Sequence, residues 1–148
     1  RGAKLLPASP VIMVEDARLS LLRGDDEAAI KKAEAVYATV AKERQKQKAD
    51  MAEKGITGEL GLLDSDAVVG AALIEAEARE KAGEWAAAIK AYDRALTEDS
   101  TMSDVLTLRG QAQLEAGDRG AATKDFKSAL SYIPDYQPAL DGLAKAKE

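Results

Sequence analysis

Cysteine and histidine are both missing from the 148-residue chain, and aromatic residues make up only 4% of it. Without cysteine there is no disulfide, no thiolate nucleophile, no thiolate zinc site and no iron–sulfur cluster. Without histidine there is no Ser-His-Asp or Cys-His catalysis and no ordinary transition-metal site. Carboxylates, lysine, tyrosine and hydroxyls remain for chemistry, so an enzyme is not expected, and neither is a metal or cofactor. No apolar run approaches the ~20 residues of a membrane-spanning helix, so direct membrane insertion is not expected. A broad basic field is lacking too. The net charge is −5, from 21 Lys+Arg against 26 Asp+Glu, which leaves no footprint for nucleic acid. The chain begins with Arg1 rather than Met and is expected to be a fragment or a processed product, which leaves its compartment open.

What is present is helix-forming. About a fifth of the chain is alanine, and Glu, Lys, Leu and Arg supply much of the rest. That composition predicts an all-α fold. An internal repeat organises it. Ala82–Leu96 and Ala116–Leu130 share glycine, an acid, small alanines, an aromatic and a final Ala-Leu in one register, 34 residues apart. Gly83 and Gly117 follow helical runs, where a left-handed cap residue is cheapest. Glu84 and Asp118 then open the next helix, where negative charge favours the positive dipole end. Ala88, Tyr92 and Ala95 lie on one face of that helix, as do Ala122, Phe126 and Ala129 in the second copy. Pro134 follows the second such helix.

These residues resemble the tetratricopeptide repeat, a 34-residue helix–turn–helix unit. The matching positions are Gly83, Trp85, Ala88, Tyr92, Ala95 and Leu96, then Gly117, Ala122, Phe126, Ala129, Leu130 and Pro134. The first helices depart from the family pattern, with Glu75 and Arg109 where an apolar residue is usual, and Arg79 and Gln113 where an aromatic is. The resemblance implies an alpha-alpha superhelix, a solenoid of antiparallel helix pairs closed by a C-terminal capping helix. Units are expected at 66–102 and 103–136, with the cap over 137–148 carrying Leu140, Leu143 and Ala144 at helical spacing.

Upstream, Ser9-Pro10 reads as a helix start and Gly24-Asp25-Asp26 as a corner, giving a degenerate N-terminal hairpin over 10–54 after a tail at 1–9. The spacing from Gly24 to Gly83 is 59 residues, 25 more than one repeat. The surplus fits a second helix running from about Asp26 to Glu53, about 40 Å long. Its apolar stripe is Ile30, Ala33, Tyr37, Val40 and Ala41. The stretch Lys42–Lys48 lacks such a stripe and is expected to project into solvent. A Gly-rich connector follows over 55–65, with Ile56, Leu60, Leu62 and Leu63 either packed over the long helix or meeting a partner. Asp64 or Ser65 should cap the next helix.

Several motifs carry less than they suggest. Lys42, Arg44, Lys46 and Lys48 could contact an anion, a membrane or an acidic partner, but interleaved acids favour a solvated helix end. Asp64-Ser65-Asp66 with Glu75 has valines at two essential calcium-loop positions. Gly55, Gly58 and Gly61 lack the Lys-Ser/Thr of a phosphate loop. The carboxylate pair Glu75 and Glu77 is of a kind that an acidic chain produces by chance.

The resemblance implies a concave face that takes peptide segments of other proteins. The family's groove positions fall on Leu73, Ile74, Glu77, Glu80, Lys81, Asp104, Thr107, Leu108, Gln111, Glu115, Asp141 and Lys145. The family's chaperone-tail clamp would fall on Leu73, Glu77, Leu108, Pro138 and Gly142, none of which supplies a cation or amide. The expected function is a non-catalytic interaction scaffold whose partner is a protein or peptide with basic and hydrophobic residues. The alternatives are a self-associating assembly component using the long helix 26–54, making a homo-oligomer, or an accessory subunit of an enzyme or envelope complex.

Overall fold

A computed structural model describes residues 8–58 and 64–148. It contains seven α-helices among the described residues: α1 (Pro10–Leu22), α2 (Asp26–Glu53), α3 (Ser65–Lys81), α4 (Trp85–Glu98), α5 (Ser103–Glu115), α6 (Arg119–Tyr132) and α7 (Gln137–Ala146). Leu60, Leu62 and Leu63 of the connector lie outside the described residues. Ile56, by contrast, is exposed.

Three corners of the chain are built alike. Gly24, Gly83 and Gly117 have φ of 79°, 72° and 88°, a region that costs glycine no Cβ clash. At each, the glycine N–H returns to a carbonyl three residues back: Leu21, Glu80 and Leu114. The next N–H returns five residues back, to Ser20, Arg79 and Gln113. This double closure satisfies carbonyls that the helix end would leave orphaned. It also turns each chain sharply enough to lay α2 on α1, α4 on α3 and α6 on α5. The hairpins stack in order, α2 against α3, α4 against α5, and α7 against α5 and α6.

The layers meet along small residues. Ala71, Ala72, Ala76, Ala78, Ala88, Ala95, Ala122 and Ala129 have no exposed surface, and the buried apolar side chains form one cluster. Phe126 is the largest fully buried side chain and sits against two glycines. A Cβ at Gly110 would fall 2.6 Å from its ring, and one at Gly142 would fall 2.5 Å away. The ring therefore occupies space that only hydrogen leaves free. This seat decides which face of α7 packs. Ala139, Gly142 and Ala146 are buried and Leu143 half-buried, while Leu140 and Ala144 are exposed, so the stripe expected from the sequence is corrected.

α2 has 28 residues, twice the 14 of α4 and of α6. Its buried residues are Ala29, Ala33, Val36, Tyr37 and Val40; Ala41 is exposed, against expectation, because the inner face has by then rotated past it. Lys42–Lys48 does not simply project into solvent. Arg44 donates to both carboxylate oxygens of Glu98 at 2.8 and 3.2 Å, anchoring α2 to the end of α4. Asp64 occupies the N-cap position of α3, but in a left-handed conformation and without a capping bond from its side chain. That carboxyl instead hydrogen-bonds Glu43, which holds the Glu43 carboxyl above its ordinary range.

The glycine seats yield a paired prediction. In an open helix Gly→Ala gains up to ~1 kcal/mol, but overpacking a rigid core costs about 1–3 kcal/mol. Gly110→Ala and Gly142→Ala should therefore lower the urea midpoint, whereas Gly120→Ala, with only a 3.7 Å contact to Asp118, should leave it unchanged or raise it slightly. Equal responses at the three sites would contradict the seating of Phe126.

Candidate functional site

The charged residues at formerly apolar positions of the first helices turn out to be joints. Glu75 is buried, and its carboxylate accepts from the Tyr37 hydroxyl at 3.1 Å and from Arg79 at 3.3 Å. Arg79 also donates to Glu84 at 2.8 Å and pairs with Glu34 at 3.6 Å. One guanidinium thus ties α2, α3 and the cap of α4. Arg109 forks onto both oxygens of Asp125 at 2.7 and 2.8 Å and reaches Asp93 at 2.8 Å, linking α4, α5 and α6. Hydrogen bonding to Asp125 raises its already high pKa further. Buried charges survive when paired in this forked geometry, so these residues bind helix to helix and leave the concave face to others.

That face is walled by the first helices. A cavity of about 490 Å³ is lined by Glu80 of α3, Trp85 of α4, Gln111, Leu114 and Glu115 of α5, and Pro138, Asp141 and Lys145 of α7. A second, of about 300 Å³, lies between α1 and α3, lined by Arg18, Leu21, Leu22, Leu73, Ile74, Glu77 and Lys81. Nine of the twelve groove positions line these two cavities. Asp104, Thr107 and Leu108 line neither. Thr107 is buried and its hydroxyl donates to the Ser103 carbonyl at 2.7 Å, which removes it as a contact. Asp104 is spent beside its own helix start, accepting from the Val105 N–H at 2.9 Å. Leu108 is exposed. Ile74 is 3% exposed and forms floor rather than rim.

Trp85, one of the repeat-matching positions, is half-buried, packs against the core cluster and forms part of the larger cavity's wall. Arg18, Leu21 and Leu22 were missed. They come from α1, whose pairing with α3 the repeat pattern did not register.

The two cavities carry charge of both signs, Glu77, Glu80, Glu115 and Asp141 beside Arg18, Lys81 and Lys145. Glu80 accepts from the Tyr92 hydroxyl at 2.6 Å, and Asp141 from Gln137 at 2.7 Å. Among the described residues Glu77 and Glu115 have no hydrogen-bond or ion-pair partner. Burial, then the Glu80 contact, pushes the Tyr92 phenol well above its ordinary value; burial and Glu75 do the same for Tyr37.

Comparison with solved structures decides the architecture. The first TPR of Spaghetti (RPAP3), bound to an HSP90 peptide, superposes with a TM-score of 0.68 at 16% identity, covering 99% of this chain and 96% of that one. The chain folds as a tetratricopeptide-repeat solenoid. The second TPR domain of human RPAP3, in complex with an HSP70 peptide, gives 0.66 at 19% identity over 95% of this chain and 99% of that one. A chain of the APC/C hetero-tetramer Cut9–Hcn1 gives 0.75 at 18% identity over 97% of this chain, which spans only 24% of it. No protein-family model matches the sequence, and no curated protein is significantly similar to it. Among the described residues no helix of the solenoid is long and apolar enough to cross a membrane.

The raised phenol pKa values make stability pH-dependent in a defined sense. The folded protein keeps both phenols protonated where the unfolded chain, with tyrosine near 10, loses those protons. Their contribution is complete below about pH 10 and declines as pH rises from there toward the folded-state values. Melting temperature should thus fall steeply above about pH 10, and Tyr37→Phe with Tyr92→Phe should flatten that fall. An identical alkaline slope in the double variant would show that the phenols are not buried neutral.

Proposed function

We propose that the solenoid is a non-catalytic protein-interaction module whose concave face takes a segment bearing lysine or arginine beside a hydrophobic anchor. The observation that carries this is the larger cavity, where Glu115, Glu80 and Asp141 stand beside Trp85 and Leu114. Acids over an apolar floor complement a cation on an aliphatic or aromatic stem. Two of the similar structures hold peptides ending in Glu-Val-Asp. Here the positions that would clamp such a terminal carboxylate are Leu73, Glu77, Leu108, Pro138 and Gly142, which offer no donor cation. The partner is therefore of opposite charge to those peptides. Stacked hairpins tied by Arg79 and Arg109 present the groove with little rearrangement, so ordering the bound segment is the main entropic cost. Assembly through α2 has less support, because its outer half exposes Lys42, Gln45, Lys46 and Lys48.

The test uses fluorescently labelled peptides, one alternating Lys/Arg with Leu and one with the sequence SRMEEVD. The basic peptide should bind and the acidic one should not. Glu77→Lys with Glu115→Lys touches no internal bond and should weaken basic-peptide binding about tenfold or more, about 1.4 kcal/mol, with helicity unchanged. Equal binding by the variant, or preference for SRMEEVD, would overturn the reading.

A further inference from the structure

α1 buries one apolar face and exposes further apolar side chains beside Glu15, Asp16 and Arg18. It packs on α2 and α3, burying Pro10, Val14, Ala17 and Leu21. On its other side Val11, Ile12, Leu19 and Leu22 are exposed at 63%, 62%, 47% and 76%. Large apolar side chains exposed together on one helix mark a surface that a partner covers. Where a solenoid's outer helix face meets water, that face is polar. α7 follows that rule: Asp141, Lys145 and Lys147 are exposed there, and Leu140 is its one large exposed apolar side chain. α1 does not.

The order of residues on the uncovered face indicates what covers it. Val11, Glu15, Arg18 and Leu22 are spaced four, three and four apart, so they form one stripe along the helix. The stripe reads apolar, acid, base, apolar, and its spacing is symmetric about a point between Asp16 and Ala17. An antiparallel α1 from a second copy, related by a two-fold axis through that point, sets Val11 against Leu22 and Glu15 against Arg18. Each contact then occurs twice. A parallel pairing would oppose like charges instead. Glu15 and Arg18 remain well exposed even while paired within the helix at 3.5 Å, so both are free to exchange partners.

We propose that the outer face of α1 is a homodimer interface, formed by antiparallel two-fold packing of α1 on α1 from a second copy of this chain. One helix of 13 residues is about 20 Å long and covers less than the ~800 Å² per partner of a standard interface. The dimer is accordingly weak, with Kd in the micromolar range or above. This interface does not depend on the groove reading, although Arg18 and Leu22 also border the smaller cavity; the test reads mass, not peptide capture.

Sedimentation equilibrium of the intact chain should show monomer going to dimer, and no further, as concentration rises through the micromolar to millimolar range. Val11→Glu with Leu22→Glu, both at exposed positions, should abolish the dimer while circular dichroism stays unchanged. Glu15→Arg or Arg18→Glu alone should weaken dimerisation about fivefold or more. The Glu15→Arg, Arg18→Glu double variant should restore it, since the swapped charges again oppose one another. A monomer at every concentration, open-ended growth beyond the dimer, dimerisation that survives the double glutamate variant, or a charge swap that fails to rescue would each overturn the proposal.

Discussion

Close approach of helix backbones is the constraint on which this structure rests. Alanines with no exposed surface line the seams between α3, α4, α5 and α6, and dispersion contacts there depend on filling space to crystal-like density. Alanine seams alone would give a thin core. The chain compensates with a few large side chains placed where glycine makes room, above all Phe126 between Gly110 and Gly142. The aromatic poverty of the sequence is thus a consequence of the packing scheme. Few rings are needed when helices nearly touch, and each ring present is correspondingly hard to replace.

Because the seams are narrow, polar joints can complete them. Arg79 and Arg109 each reach carboxylates on neighbouring helices, and Arg44 does the same for the extended α2. Such networks restrain the angle between hairpins, and that angle shapes the hollow between α3, α5 and α7. The groove's acidity then follows from residues left out of the joints. Glu77 and Glu115 face outward on first helices where Glu75, Arg79, Glu80 and Arg109 are already engaged.

Much of the fold was legible because its corners are chemically distinctive. A left-handed glycine followed by an acid marked Gly83 and Gly117, and the 59-residue gap back to Gly24 placed a doubled helix at α2. The joints were not legible. Glu75, Arg79 and Arg109 looked like departures from an apolar pattern, since sequence shows a charge but not the partner reached across a seam. Val36 and Ala29 were absent from the expected stripe of α2, and Ala41 was wrongly included, because a helical stripe drifts relative to a straight neighbour. Of the groove positions taken from the first helices and the cap helix, nine line the two cavities and Asp104, Thr107 and Leu108 do not, Thr107 because its small side chain is buried and bonded to the Ser103 carbonyl. The contribution of α1 was hidden because its hairpin lacks the repeat's aromatic signature. Trp85 matched a repeat position, but its place at the start of α4 leaves one side of it open.

The central claim is that the hollow between α1, α3, α5 and α7 is where a partner segment lies. Backbone amide chemical-shift mapping tests it most directly, titrating isotopically labelled protein with the Lys/Arg–Leu peptide. The account predicts that the perturbed amides cluster at Leu73, Glu77, Glu80, Gln111, Glu115 and Lys145. Perturbations gathered instead on the outer surface of α2 and α4, around Arg44, Lys90 and Arg94, would contradict it.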